Sequence, residues 1–242
     1  MQAERSIDRH RVIWQQKPAL RAVYSDYHAR IAAHCRPGRT LEVGGGGGHM
    51  REFVPDVVAM DIQQAPWLDV IADAHGLPFA DGCFENITML DVLHHLAEPA
   101  KFLREAERVL APGGRLVMIE PAMTLVSWPA LSLFHEEPVV LGNDPLQGRA
   151  IEGDRPEDAN QAIPHLIFRR HNASFAAKFP RLHLVELRHL SLLAYPLSGG
   201  FKRWSLIPAS WVRPLLRIED LLMPVLGRLA AFRLLIVLER AA

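Results

Sequence analysis

Five consecutive glycines, in LEVGGGGGHM, constrain this chain more than any other stretch. Residues 39–43 before them read as a short strand, and residues 49–53 after them as the opening of a helix. A glycine-rich turn at such a junction lets backbone approach a ligand with no side chain in the way. A helix N-terminus adds free N–H groups. The spacing then separates ligand classes. A dinucleotide fingerprint needs Gly-x-Gly-x-x-Gly. Starting it at Gly44 and Gly46 puts His49 in the third place, and starting at Gly45 and Gly47 puts Met50 there. A phosphate-binding P-loop would end in Gly-Lys-Ser/Thr, which is missing. The pattern that fits is acidic-x-Gly-x-Gly-x-Gly, on Glu42, Gly44, Gly46 and Gly48. The plainer alternative is a flexible loop that binds nothing.

Further acidic residues weigh against that alternative. Residues 57–60 form a second apolar run that ends at Asp61, and a weaker third run, 68–72, ends at Asp73. A carboxylate at the end of the second strand can accept hydrogen bonds from both hydroxyls of a ribose. One at the end of the third can take an exocyclic amine of adenine. Strand C-termini are where open α/β sheets bind ligands.

The rest of the chain continues the alternation. Residues 5–35 read as two helices divided at Lys17-Pro18, because proline pushes its predecessor out of the helical region. Residues 85–90 read as a fourth strand. Residues 93–110 follow as a helix with a break near Pro99, then a turn at Ala111-Pro-Gly-Gly114 and a fifth strand over 115–119. Beyond Pro121 regularity fades: 122–165 mix proline, glycine, aromatic and acidic residues. A sixth strand is expected over 182–193, an amphipathic helix over 210–231 and a last strand over 233–238. Strands alternating with helices predict a parallel sheet covered on both faces.

LEVGGGGG, AMDI, ADAHGLPFADGCFENITMLDVLHHL and FLREAERVLAPGGRLVMIEP together resemble the class I S-adenosylmethionine (SAM)-dependent methyltransferases, in particular the type 11 family that includes quinone-biosynthesis enzymes. The resemblance covers about residues 38–121. It implies an α/β fold with a doubly wound, seven-stranded, mostly parallel Rossmann-like sheet whose last strand, RLLIVLER, runs antiparallel. One domain over 1–242 would then comprise N-terminal helices (1–37), a SAM-binding core (38–121), an inserted acceptor cap with the sixth strand (122–210), and a helix with the last strand (211–242). Glu42, Gly44, Gly46 and Gly48 would line the methionine part of SAM. Asp61 would hold the ribose, with Ile62 on adenine and Asp73 and Ala74 at its edge. Asp91 would lie near the amino-acid end or the methyl group. Gly45 and Gly47 depart from the family, which more usually has larger residues there.

Methyl transfer needs an acceptor lined up behind the methyl carbon, and an oxygen or nitrogen acceptor can need a base. His94, His95, His135 and Glu120 stand where such a base could sit. His94 and His95 are adjacent, so on a helix at most one faces the site. His135-Glu136-Glu137 is a cluster whose plainer reading is a polar loop. No HExxH or other metal spacing occurs, so the expected reaction uses no metal. Trp128, Phe134, Phe168, Phe175, Tyr195 and Phe201 are candidates to line an apolar acceptor site, and Trp14, Tyr24 and Tyr27 to cap SAM. The expected partner is therefore a small, apolar or lipid-like molecule.

Composition closes off other classes. Basic and acidic residues balance at 27 each, which gives no electrostatic footprint for nucleic acid. The N-terminal MQAERSIDRHRVIW does not read as a signal peptide, and no apolar run is long enough to span a membrane. The arginine-bearing apolar helix after Trp211 covers the sheet in the simpler reading and touches a membrane surface in the other. Two distant cysteines, Cys35 and Cys83, are expected to stay reduced, as in the cytoplasm. A non-catalytic SAM-binding module is the alternative function. A nucleotide-dependent oxidoreductase is disfavoured by the glycine spacing.

Overall fold

The computed structural model describes residues 6–153, 155 and 158–242. Two helices, α1 (Ser6–Gln16) and α2 (Pro18–His34), open it. They part where expected: Lys17 takes φ −122° and ψ 85°, and Pro18 starts α2. The expected helix start at residue 5 lies outside the described residues. The strands β1 (Thr40–Val43), β2 (Val57–Asp61), β3 (Val70–Ile71) and β4 (Phe84–Leu90) follow, then α3 (Pro99–Val109) and β5 (Leu110–Pro121). After these come α4 (Ser127–Phe134), α5 (Ile163–His165) running into a π-helical turn at Leu166–Arg170, α6 (Asn172–Lys178), β6 (Leu182–Leu190), α7 (Ala194–Ser198), α8 (Ala209–Ala230) and β7 (Arg233–Arg240).

The seven strands form one sheet in the order β3-β2-β1-β4-β5-β7-β6. Its first five strands are parallel, and β7 runs antiparallel to both β5 and β6. This is the α/β sheet that the resemblance implied, with its antiparallel last strand.

Side-chain alternation explains why the middle stretches of β5 and β7 are apolar at every position. In β5, Leu116 and Met118 face one core while Val117 and Ile119 face the other. In β7, Leu234, Ile236 and Leu238 join the first core, and Leu235 and Val237 the second. A strand covered on both faces is apolar over most of its length; the buried Glu120 and Arg233 sit at the ends of β5 and β7. The first core is closed by α3, through Phe102, Leu103 and Ala106, and by Phe168, Phe175 and Phe179. The second is closed by α2, through Leu20, Val23, Tyr27 and Ile31, and by Val212 and Leu216 of α8. Arg30 ties the two covering helices together through Asp26 (2.6 Å) and Asp220 (2.7 Å). The opposite side of α8 leaves Trp211, Leu221 and Val225 exposed. No helix among the described residues is long and apolar enough to cross a membrane.

Four expectations need correction. The helix after the glycines is a single 3-10 turn, Met50–Glu52, and the chain enters β2 at Val57. Pro55 holds Val54 out of the helical region, which stops a helix there. Met50 and Val54 pack instead against Tyr24, Tyr27 and Ile31, so α2 supplies the missing cover. The third strand shrinks to two residues: Asp69 beside it spends its carboxylate on the Ala59 N–H (2.8 Å). The expected turn at 111–114 is a bulge inside β5, where pairing jumps from Phe84↔Leu110 to Asn86↔Arg115 and Gly113 takes φ +75°. The sixth strand stops at Leu190 because Ser191 takes φ +57°.

Phe102 is fully buried under the sheet, so Phe102→Ala should cost about 3–5 kcal/mol of stability. Urea unfolding followed by circular dichroism measures this, and a loss well under 1 kcal/mol would mean that α3 does not close that core.

Candidate active site

A single cavity of about 2010 Å³ opens at the C-terminal ends of β1, β2 and β4. It gathers most of the residues that the sequence singled out. Glu42, Gly44, Gly46, Asp61, Ile62, Asp73, Ala74, Asp91, His94, His95 and His135 all line it. Gly48 stands just outside that lining and serves the loop's shape.

The glycine loop has the parity that the acidic-x-Gly-x-Gly-x-Gly pattern requires. Gly44, Gly46 and Gly48 take φ +69°, +37° and +72°, whereas Gly45 and Gly47 do not enter the left-handed region. A Cβ at Gly44 would lie 2.3 Å from Val92 Cγ2, and one at Gly48 2.9 Å from Trp67 Cδ1. Both positions therefore exclude side chains on conformation and on space. The loop is pinned from three sides. Gly45 N–H donates to Met60 O (2.8 Å), Gly46 N–H to Asp61 Oδ2 (3.1 Å), and Trp67 Nε1 to Gly46 O (2.8 Å).

Glu42 lies at the floor, 8% exposed, and its Oε2 has no hydrogen-bond partner among the described residues. Burial pushes its carboxyl up to about 8; Arg51 opposes the rise, and Asp61 adds to it. Ile62 stands 53% exposed on the opposite wall. Asp73 Oδ1 accepts from His75 N (2.8 Å) and pairs with His75 Nδ1 (2.7 Å). Burial would raise the Asp73 carboxyl, but these contacts with His75 bring it below the usual value.

Helix α1 lies across the loop. Trp14 stacks on His49 at 3.9 Å, the Arg11 guanidinium sits 3.7 Å over Trp67, and His10 stacks on Phe201 at 4.3 Å. Of the suggested capping aromatics, Trp14 and Tyr24 line the cavity. Tyr27 is core, its hydroxyl 2.6 Å from Ser191 Oγ.

Asp91 reaches the cavity on a left-handed backbone, φ +58°, but its carboxylate is already engaged. Arg233 donates to Oδ1 (2.6 Å) and Oδ2 (3.3 Å), and the Tyr24 hydroxyl donates to Oδ2 (2.7 Å). Arg233 in turn lies 3.9 Å over the Tyr195 ring. Asp91 is thus a paired carboxylate in the wall, a partnership set by the last strand and invisible to local sequence.

The histidines gather around two carboxylates. Glu120, fully buried, accepts from the N–H groups of Val92 (2.8 Å) and Leu93 (2.7 Å) and pairs with His94 Nδ1 (2.6 Å). It braces the 3-10 turn Leu93–His95 and is not a free base. Burial alone would lower His94, but Glu120 and Glu137 hold it up at about 10. Both His94 and His95 face the cavity, contrary to the helical expectation. They stand on that short turn, and Glu120 and the Asp158 carbonyl (3.2 Å from His95 Nδ1) orient their rings. Their Nε2 atoms approach Glu137 at 3.4 and 3.7 Å.

His135 accepts at Nδ1 from Gln161 Nε2 (2.8 Å), which also donates to Glu137 (2.7 Å). Burial lowers His95 and His135 below the usual imidazole value, and the neighbouring His94 charge adds to this at both. Burial would raise Glu137, yet the three imidazoles hold it well below the carboxylate range. His135-Glu136-Glu137 is accordingly more than a polar loop, since Glu137 is the hub of the cluster. Among the suggested apolar residues, Phe134, Tyr195 and Phe201 line the cavity. Phe168 and Phe175 are buried in the first core, and Trp128 lies outside the cavity lining.

Comparison with known proteins places this geometry. Residues 41–118 match the family described as a methyltransferase domain. The ubiquinone/menaquinone biosynthesis C-methyltransferase of Roseobacter denitrificans is 38% identical over 148 residues, which is 57% of this chain and 54% of that protein. The demethylmenaquinone methyltransferase of Renibacterium salmoninarum is 40% identical over 99 residues, 35% of this chain and 42% of that one. The chain spans about half or less of the length of these curated relatives. A SAM-dependent methyltransferase from Archaeoglobus fulgidus, 13% identical, superposes with a TM-score of 0.55 over 93% of this chain and 95% of its own. The fold is that of the class I SAM-dependent methyltransferases.

Removing one member of a buried ion pair leaves the other uncompensated. Arg233→Met should therefore destabilise the protein by about 3–5 kcal/mol, with part of the loss recovered when Asp91→Asn is added. Additive losses in a double-mutant cycle by urea unfolding would show that the two side chains do not stabilise one another.

Proposed function

We propose that this chain is a SAM-dependent methyltransferase acting on a small, predominantly apolar acceptor. The observation that carries the reading is the floor of the cavity: a buried, unpartnered Glu42 oxygen beside a left-handed glycine cradle. An orphaned buried carboxyl is costly, and a cationic ligand end would satisfy it. A phosphate would be repelled there, which argues against a dinucleotide. The identity to quinone-biosynthesis methyltransferases over the matched segments supports the same reading.

In this reading Glu42 and the cradle of Gly44, Gly46 and Gly48 hold the methionine end. Asp61 turns from the Gly46 N–H to the ribose hydroxyls, and Ile62 packs on adenine. Asp73 and Ala74 meet the adenine edge. The bound cofactor supplies an electrophilic methyl group on a sulfonium. Helix α1, through Trp14 on His49 and Arg11 on Trp67, closes the loop side and keeps water out.

Residues 122–210 form the acceptor side. Leu131 and Phe134 of α4, with Tyr195, Phe201 and Phe232, give that end of the cavity apolar walls, and they hold the acceptor against the cofactor end. Rate comes mainly from this positioning. Where the acceptor atom carries a proton, His95 is the cluster member suited to take it: its lowered pKa leaves the ring neutral at neutral pH. His94, held cationic, orients Glu137 instead. His135 and Gln161 fix the far side of that carboxylate.

Calorimetric titration with SAM, its demethylated product and NAD tests the reading. Saturable binding of the first two alone is expected; no binding by either would remove it. Asp61→Ala should weaken SAM binding by about 1–3 kcal/mol, the scale of a hydrogen bond to a charged group, and unchanged affinity would take Asp61 out of the site.

Glu42 adds a pH signature. Its ligand-free carboxyl titrates near 8, so the neutral form dominates near neutrality, while a bound cation favours the ionised form. Binding then releases a proton, and SAM affinity should rise as pH increases through about 8 and level off above it. The ligand-free protein follows the opposite course. Its folded carboxyl keeps the proton longer than the unfolded one, so this group's contribution to stability falls from the ordinary value of 4.5 up to about 8. In Glu42→Gln the pH slope of binding should vanish, and a slope that persists would assign the proton to another group.

A further inference from the structure

Three donor atoms at the acceptor end of the cavity converge without being joined in sequence. One ring nitrogen each of His94 and His95 and a carboxylate oxygen of Glu137 all lie within 4.8 Å of one another. The pairs His94–Glu137 and His95–Glu137 stand at 3.4 and 3.7 Å. The first distance runs to Oε2 and the second to Oε1; ligands about 2.0–2.1 Å from a tetrahedral ion stand roughly 3.3 Å apart, so each imidazole already stands near ligand spacing from one oxygen of the same carboxylate.

The atoms behind these donors make the arrangement more specific. His94 Nδ1 faces Glu120 Oε2 at 2.6 Å, and a carboxylate only accepts, so Nδ1 carries the hydrogen. His95 Nδ1 faces the backbone carbonyl of Asp158 at 3.2 Å, and the same argument applies. With Nδ1 so engaged on each ring, Nε2 is the ring atom left to coordinate, and an ion bound there would replace the Nε2 proton that His94 carries in the ligand-free chain. A metal-binding histidine characteristically donates its other ring N–H to a carboxylate or a backbone carbonyl, and here one of each is present. Glu137 is held by Gln161 Nε2 at 2.7 Å, which fixes the third donor. With neutral imidazoles, Glu120 and Glu137 give the cluster a formal charge of −2, which a divalent ion balances. The three donors line the open cavity, so an ion there would keep a coordination position facing the acceptor.

We propose that His94, His95 and Glu137 bind one divalent transition-metal ion of the zinc, cobalt or iron type. Two imidazole donors favour these over magnesium or calcium, which prefer oxygen. The site itself stands independently of the methyltransferase reading. Only its use rests on that reading: an oxygen of the acceptor would take the open position and be held toward the methyl donor, and in the metal-loaded chain the ion, by acidifying that oxygen, would replace the base role that His95 has in the metal-free one.

The test is equilibrium dialysis of the purified, chelator-treated chain against Zn²⁺, Co²⁺ and Mg²⁺ alone, with the visible spectrum of the Co²⁺ form as a second readout. One equivalent of Zn²⁺ or Co²⁺ should bind, without Mg²⁺, and Co²⁺ should give the absorption bands of a low-coordinate imidazole site. His95→Ala and Glu137→Gln should each weaken binding by at least about tenfold, while His183→Ala on exposed β6 should leave it unchanged. Circular dichroism checks that each variant is folded. His94 is left unsubstituted because it also braces Glu120. Absence of stoichiometric binding, or equal binding in both variants and wild type, overturns the proposal. If a variant fails to fold, the wild-type Co²⁺ spectrum decides, and the octahedral spectrum of free Co²⁺ counts against the site. SAM titration run in parallel separates the two readings: metal binding without SAM binding would sink the methyltransferase proposal and keep the metal site.

Discussion

The buried carboxylate of Glu120 is the interaction on which the site's geometry turns. A carboxylate with no exposure is tolerable only when its oxygens are filled, and here two backbone N–H groups and His94 Nδ1 fill them. Glu120 comes from the end of β5, and its three partners from the turn after β4. The contact therefore fastens the two central strand ends to each other. Val92, which walls off Gly44, and both histidines that face Glu137 are carried on the turn so fastened.

The cavity that results is chemically divided. Its floor carries Glu42 and the glycine loop, small and backbone-rich. Its far end carries imidazoles, a carboxylate and aromatic walls. Between them Asp91 is neutralised by Arg233, and Arg233 by Asp91 and the face of Tyr195. This internal pairing leaves the middle of the cavity without a free charge from those two groups, so a small uncharged group can be held there between two polar ends.

How much of this was legible follows from the range of each interaction. The Lys17-Pro18 division and the strands β1, β2 and β4 are local, and the structure has their ends within a residue of the expected ones. The glycine parity was legible too, because backbone conformation is written in which positions lack a side chain. The helix expected after the glycines was misread because Pro55 stops it and α2, from elsewhere in the chain, covers the gap. Arg233 escaped notice, and Glu137 was named only within a cluster whose plainer reading was a polar loop, for a related reason. Their roles depend on partners brought up by the cap and by the last strand, and no spacing rule reaches across such distances. Asp91 lines the same cavity as the other residues that the resemblance implied, but its pairing in the wall needed Arg233 to be seen.

The covering role of α2 bears on how the molecule assembles. Its ion pair with α8 joins residues 190 apart, and the Asp91–Arg233 pair joins residues 142 apart. Contacts of such separation are slow to form, since a long loop must close before they repay its entropy. Strand β7 supplies Arg233 and, through Leu235 and Val237, part of the core that α2 closes, yet it follows the other six strands in sequence. The cofactor floor, built from β1, β2 and β4, can form from local parallel pairings, whereas its roof waits for the final strand. A nascent chain would thus hold an open, half-built cleft until β7 arrives, a period in which a bound ligand or a chaperone has most to contribute to the outcome.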